Sequence, residues 1–125
     1  MGLGPNPRLE IMIDCPDPVA LAPFWAGVLG YEVGAGGGEP YVELVPSDDR
    51  PIVCLQRVPE PKLGKTRIHL DLYVPIPEVE GEVERVVALG ATVLGEPVLR
   101  ANGEFNFQIL ADPAGTEFCV CGEHA

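Results

Sequence analysis

Positive charge is scarce in this chain. Its 125 residues carry 8 Lys plus Arg against 19 Asp plus Glu, a formal net charge of −11. That balance excludes nucleic-acid binding, because nothing here could neutralise a row of phosphates. Aromatic residues are few (1 Trp, 3 Tyr and 4 Phe), and there are only 2 His. No apolar run reaches the roughly 18 residues of a membrane span. The opening stretch MGLGPNPRLE has neither a basic n-region nor an apolar h-region. A secretory signal is therefore not expected, and the cytoplasm is the expected location. No C-x-x-C occurs, which removes support from zinc-ribbon and dithiol redox readings. The four cysteines, Cys15, Cys54, Cys119 and Cys121, are expected to be reduced and buried. What is present suits one folded domain over residues 1–125. The apolar content is 46%, which excludes disorder along the chain.

The sequence repeats itself once. Val28-Leu29-Gly30-Tyr31-Glu32-Val33 resembles Ala88-Leu89-Gly90-Ala91-Thr92-Val93, and Val19 stands to Val79 in the same way. Upstream, Leu9, Ile11, Ile13 and Cys15 match Ile68, Leu70, Leu72 and Val74. In each set the apolar residues alternate with polar ones, the period-2 signature of a half-buried strand. Asp17-Pro18 supplies an N-cap and a first-turn proline for a helix whose stripe is Ala20, Phe24, Trp25, Val28 and Leu29. Gly30 ends that helix, and Pro23 is expected to kink it. A second helix from about Pro77 to Gly90 carries Val79, Val83, Val86 and Val87 on one face. Strands are predicted near 31–35, 40–46 and 51–58, and again near 91–99, 104–110 and 116–121. Turns fall at Gly36-Gly37-Gly38 and Ser47-Asp48-Asp49. Module one thus spans about 8–58, a linker 59–66 (PEPKLGKT), and module two about 67–122. Each half reads β-α-β-β-β.

A duplicated module with these landmarks resembles the vicinal oxygen chelate superfamily of glyoxalases, extradiol dioxygenases, and fosfomycin- and bleomycin-resistance proteins. The matching stretches are IDCPDPVALAPFWAGVLGYEV, RIHLDLYV, VERVVALGATV and ADPAGTEFCVC. The combination is most similar to small bacterial glyoxalase-like proteins. The resemblance implies an α+β fold: two tandem βαβββ modules forming a cupped, mostly antiparallel sheet with helices outside. It also implies a site inside the cup. Family metal ligands come from the first and last strands of each module. Carried over, these positions fall on Glu10, on Gln56, on His69 and, seven residues after Asp112, on Cys119. The resemblance thus implies a metal set of Glu10, Gln56 and His69 for one divalent ion (Zn, Ni, Fe or Mn). A sulfur ligand at Cys119 would shift preference toward zinc or softer metals. Ordinary glyoxalase I activity is not expected, since Cys119 stands where a proton-moving carboxylate is needed.

Alternation alone puts Glu10, Met12, Asp14, Gln56, His69, Asp71, Tyr73, Glu117, Cys119 and Cys121 on the face opposite the apolar set. A solvated sheet face and a ligand-lined cup look alike at this level. His69 reads either as a metal or substrate contact or as a structural histidine bonded to Asp14, Asp71 or Tyr73. Glu10 reads as a ligand or as a salt-bridged strand residue with Arg67 as its partner. Cys119 and Cys121 read first as small buried hydrophobes. Asp112-Pro113-Ala114-Gly115 is a turn, and His124 belongs to a disordered tail.

Three functions fit this pattern. The first is a metal-dependent lyase, isomerase or dioxygenase acting on a small oxygenated metabolite. The second is a metal-free small-molecule binding protein of the bleomycin-resistance type, with Tyr31, Tyr41, Tyr73, Phe105 and Phe107 as candidate walls. The third is a structural partner with no ligand. The expected partners are a small-molecule ligand and a second copy in a homodimer, with no nucleic acid and no membrane.

Overall fold

The computed structural model describes residues 7–34 and 40–124. The chain divides into two compact units, Met1–Pro61 and Lys62–Ala125. The Gly36-Gly37-Gly38 turn lies outside the described residues.

In the first unit β1 (Ile11–Cys15) leads into α1 (Pro18–Leu29), followed by β2 (Glu32–Val33), β3 (Tyr41–Val45) and β4 (Val53–Arg57). The sheet order is β1-β4-β3-β2, with β1 parallel to β4 and the other pairs antiparallel. Asp17 caps α1 as its sequence predicts: extended at φ −145°, it accepts the Ala20 N–H on Oδ1 at 3.2 Å. Gly30 closes the helix at φ 69°, a left-handed conformation that favours glycine. The helix runs unbroken through Pro23. The bond forfeited there is the one to the Val19 carbonyl, and both residues are exposed, where water can replace it. The buried face holds Leu21, Phe24, Trp25 and Val28, and Trp25 meets the Phe24 ring edge-on at 5.2 Å. This face packs on β3 and β4, whose Val42, Leu44, Val53 and Leu55 complete the core. Ala20, placed on the stripe by its spacing, is exposed.

The second unit repeats the plan. β5 (Asp71–Pro75) passes through a 3₁₀ turn (Ile76–Glu78) into α2 (Val79–Leu89), then β6 (Thr92–Leu99), β7 (Phe105–Ala111) and β8 (Glu117–Glu123). Its sheet order is β5-β8-β7-β6, with β5 parallel to β8. Val79 and Val86 of α2 are fully buried with Leu110, Phe118 and Val120. Val87 is 41% exposed, so the apolar face of α2 is narrower than its sequence suggests. The expected two-module α+β fold is what the structure shows. At the C-terminal end, His124 lies 3.5 Å from the Glu104 carboxylate.

Both first strands are shorter than their alternation predicts. Leu9 and Ile68, assigned to the core face, are 69% and 86% exposed. The parallel ladders start only at Ile11 and at the Leu70 carbonyl, which accepts the Cys119 N–H at 2.9 Å. Upstream of those points the chain has left its neighbouring strand, and alternation no longer selects a buried side. No helix among the described residues is long and apolar enough to cross a membrane.

Candidate functional site

The site grows from the parallel pair β5–β8. Level residues on parallel neighbours point to the same face, so Asp71 and its register partner Cys119 project together. Tyr73 and its partner Cys121 share that face, and His69, just upstream of the strand, is held against Asp71 by a side-chain contact. The His69 Nδ1 lies 2.9 Å from Asp71 Oδ1. Ligand-capable atoms of His69, Asp71 and Cys119 all lie within 4.8 Å of one another. Antiparallel β7 adds Ile109 opposite Cys119 and Phe107 opposite Cys121. Together these line a cavity of about 510 Å³, to which Lys65, Arg100 and Glu117 also contribute. Two basic side chains on one cavity are notable in a chain with so few.

Burial and charge tune the groups here. Cys119 is 7% exposed, and burial, aided by the neighbouring Asp71 carboxylate, pushes its thiol up to about 11. Cys121 is pushed up to about 11 by the same two causes. Tyr73 is raised mainly by Cys121 and then by Asp71. Glu117 is held below the usual carboxylate range, first by the Thr66 N–H at 2.9 Å and further by Lys62 at 3.4 Å and Lys65 at 3.9 Å. The Thr66 hydroxyl returns the contact by accepting the Glu117 N–H at 3.1 Å. Glu117 is therefore committed to tying segment 62–66 onto β8.

The first-unit candidates stand differently. Glu10 precedes β1 and pairs with Arg8. Gln56 lies beside Asp14 in register and reaches the Tyr41 hydroxyl at 3.5 Å. Glu10 is four residues back along the strand from Asp14, about 13 Å at the usual rise, so it does not meet Gln56. Met12 and Asp14 are exposed. The pairing Met12–Cys54 matches Asp71–Cys119, which makes Cys54, not Gln56, the counterpart of Cys119. Cys54 is likewise buried, and its thiol is raised by burial and then by Glu43 and Glu10. The proposed set of Glu10, Gln56 and His69 thus draws on both units, whereas His69, Asp71 and Cys119 converge within one.

Sequence reasoning missed Arg100 and Lys65. Both sit in irregular segments, where no periodicity marks an inward side. Arg100 is fixed by its Nη2, which donates to the Gly122 carbonyl at 2.7 Å.

The glyoxalase-like domain family model matches residues 10–121. The chain belongs to this family, and with it to the vicinal oxygen chelate superfamily. No curated protein sequence matches it. Among solved structures it is similar to a glyoxalase/bleomycin resistance protein/dioxygenase family enzyme from Burkholderia phytofirmans. The TM-score is 0.73 at 17% identity, covering 90% of this chain and 95% of that one. It is also similar to the fosfomycin resistance protein FosX from Listeria monocytogenes, with TM-score 0.74 at 18% identity and coverage of 94% and 91%. A mutant of that protein was crystallised with Mn(II) and 1S,2S-dihydroxypropylphosphonic acid, and it gives TM-score 0.72 at 18% identity, covering 91% and 88%. At these identities the structural likeness speaks for the fold.

Proposed function

We propose that this protein is a divalent-metal-assisted enzyme of the vicinal oxygen chelate type, a lyase, isomerase or dioxygenase, acting on a small oxygenated metabolite in the second-unit cavity. The observation that carries this reading is the convergence of His69, Asp71 and Cys119 on a cavity of about 510 Å³. The volume suits a small molecule. The Mn(II)-bound FosX neighbour supports a metal-assisted reaction on a small substrate. The donor set fits a metal: one imidazole, one carboxylate and one sulfur, with the cavity side open for substrate or water. When bound, such an ion supplies Lewis-acid stabilisation of negative charge developing on a substrate oxygen.

The remaining roles belong to the chain's own side chains. Phe107 and Ile109 wall the cavity and restrict water. Lys65 and Arg100 supply positive charge to orient an oxygen-rich substrate. Tyr73, a phenol held protonated by its neighbours, stands on the cavity wall with its hydroxyl hydrogen-bonded to Cys121. No free carboxylate occupies the Cys119 position, so glyoxalase I chemistry is not part of this proposal. A cytoplasmic homodimer is the setting it assumes.

A second reading has one observation in its favour. His69 has Asp71 as a protein partner and Glu10 has Arg8. Protein partners of this kind also suit a metal-free binding protein. Elemental analysis of protein purified without chelator or polyhistidine tag separates the two. About one equivalent of metal per chain, lost in His69→Ala, is the expected result. A folded wild type that carries no metal and takes none up on titration overturns the enzyme reading in favour of the second.

A further inference from the structure

We propose that the second-unit cavity takes a monocarboxylic acid, and that Arg100 selects it by holding its carboxylate. This inference rests on the reading above of that cavity as the ligand site, and it names the class of ligand.

Charge pairing singles out Arg100. Of the eight Lys and Arg side chains, Arg8, Arg50, Arg57, Lys62, Lys65 and Arg85 each stand within 3.9 Å of a carboxylate. Arg67 and Arg100 have no such partner among the described residues. Arg67 is exposed, where water solvates it, whereas Arg100 is half-buried on the cavity wall. The Arg100 Nη2 donates to the Gly122 carbonyl at 2.7 Å, but its Nε is buried with no acceptor. Acidic residues number 19 against 8 basic ones, yet none is spent on this guanidinium. A charged donor dried without an acceptor costs stability. A carboxylate entering the cavity would relieve that cost after a small turn of the guanidinium plane. It would take two N–H groups at once, in the planar fork that guanidinium and carboxylate share.

The charges already on the wall favour a single negative charge in the ligand. Lys65, the other cation of the cavity, is balanced by Glu117. One carboxylate matches the one unbalanced guanidinium. The second charge of a phosphate or phosphonate would be left facing Asp71, which lines the same space. Position then sets the length of the ligand. Gly122, which anchors Arg100, lies three residues beyond Cys119 on β8, about 10 Å at the usual strand rise. Between them Phe107 stands opposite Cys121. The matching acid has its carboxylate at one end and an apolar middle over Phe107. Its remaining oxygens lie several bonds away, toward His69, Asp71 and Cys119.

The test titrates the tag-free full chain with hexanoate, with the neutral hexanamide and with the doubly charged pentylphosphonate. The readout is the Arg100 Nε–H resonance in side-chain NMR of isotope-labelled protein. Hexanoate should shift that resonance saturably, hexanamide should not, and pentylphosphonate should bind more weakly than hexanoate. Arg100→Gln should weaken hexanoate binding by about tenfold or more, the loss expected when a charge-assisted pair is removed. Arg67→Gln, which removes the exposed unpaired cation, should leave hexanoate affinity unchanged. Circular dichroism checks that the variants fold, and the wild-type comparison of the three probes stands without any variant. Equal binding of hexanoate and hexanamide overturns the inference, as does tighter binding of pentylphosphonate. Unchanged hexanoate affinity in folded Arg100→Gln, or no binding by any probe, also overturns it. The metal-assisted reading falls separately, on the elemental analysis.

Discussion

The side-chain amide of Gln108 donates to the Leu94 carbonyl at 3.3 Å, across the point where β6 loses register with β7. The same nitrogen reaches the Gly95 carbonyl at 3.2 Å and the Ile109 carbonyl at 3.0 Å. Pairing between β6 and β7 is shifted between Leu94 and Val98, which leaves carbonyls without ladder partners. Gln108, 4% exposed, satisfies them from the core side. Replacing it by Leu keeps the volume and removes the donor. Gln108→Leu is expected to lower stability by about 1 kcal/mol, the net worth of its hydrogen bonds to these part-buried carbonyls. Urea denaturation gives the number, and an unchanged midpoint would show that water satisfies the bulge instead.

Gly122 on β8 has no room for a side chain. A Cβ there would stand 3.0 Å from Ile76 Cγ1, 3.1 Å from Val79 Cγ2 and 3.2 Å from the Phe105 carbonyl oxygen. Gly122→Ala should therefore destabilise the second unit by about 1–3 kcal/mol through overpacking. Thermal denaturation checks it.

Tyr31 gives the first unit an alkaline limit. Its hydroxyl donates to the Pro51 carbonyl at 2.8 Å, and burial raises its phenol above the ordinary tyrosine value. A raised acid favours the protonated folded form. Its contribution to stability is therefore complete below the unfolded value near pH 10, and it is lost as pH climbs through the folded one. Denaturation midpoints should fall above about pH 10 in the wild type, and less steeply in Tyr31→Phe. Equal slopes in the two proteins would assign the alkaline loss to other groups. At neutral pH, Tyr31→Phe should cost roughly 1 kcal/mol for the hydrogen bond.

Glu117 fastens segment 62–66 to β8, and that fastening is open to a protease test. In Glu117→Ala the Thr66 N–H and both lysines lose their acceptor. Trypsin should then cut after Lys62 or Lys65 several-fold faster while the global denaturation midpoint moves by less than about 2 kcal/mol. Unchanged cleavage would mean that the segment is held by other contacts.

Much of the fold could be read from the chain because its signals are local. Asp17-Pro18 and Gly30 mark the ends of α1 through backbone requirements that no distant contact alters. Ile13 and Cys15 alternate into the core as expected. The site was harder to read, because its alignment depends on non-local pairing. Gly30 and Gly90 are 60 residues apart, but Cys54 and Cys119 are 65 apart. The second unit has longer hairpin strands, and the five extra residues shift every later equivalence. The family carry-over places the last-strand position of the first module at Gln56, and the strand register adds Cys54, two residues earlier, as the residue level with Cys119. His69, Asp71 and Cys119 were all named from alternation. Their convergence became visible only once β5 was laid beside β8, about 50 residues away in sequence.

The position of β5 at the margin of its sheet has a dynamic consequence. Within that sheet it bonds to β8 on one side only, whereas β8 bonds on both. Amide exchange should consequently be graded across the site, slow at Cys119 and faster at Asp71, with His69 faster still beyond the last ladder bond. The two faces of the cluster thus differ in stiffness: sulfur stands on the anvil, while imidazole and carboxylate ride on the hinge.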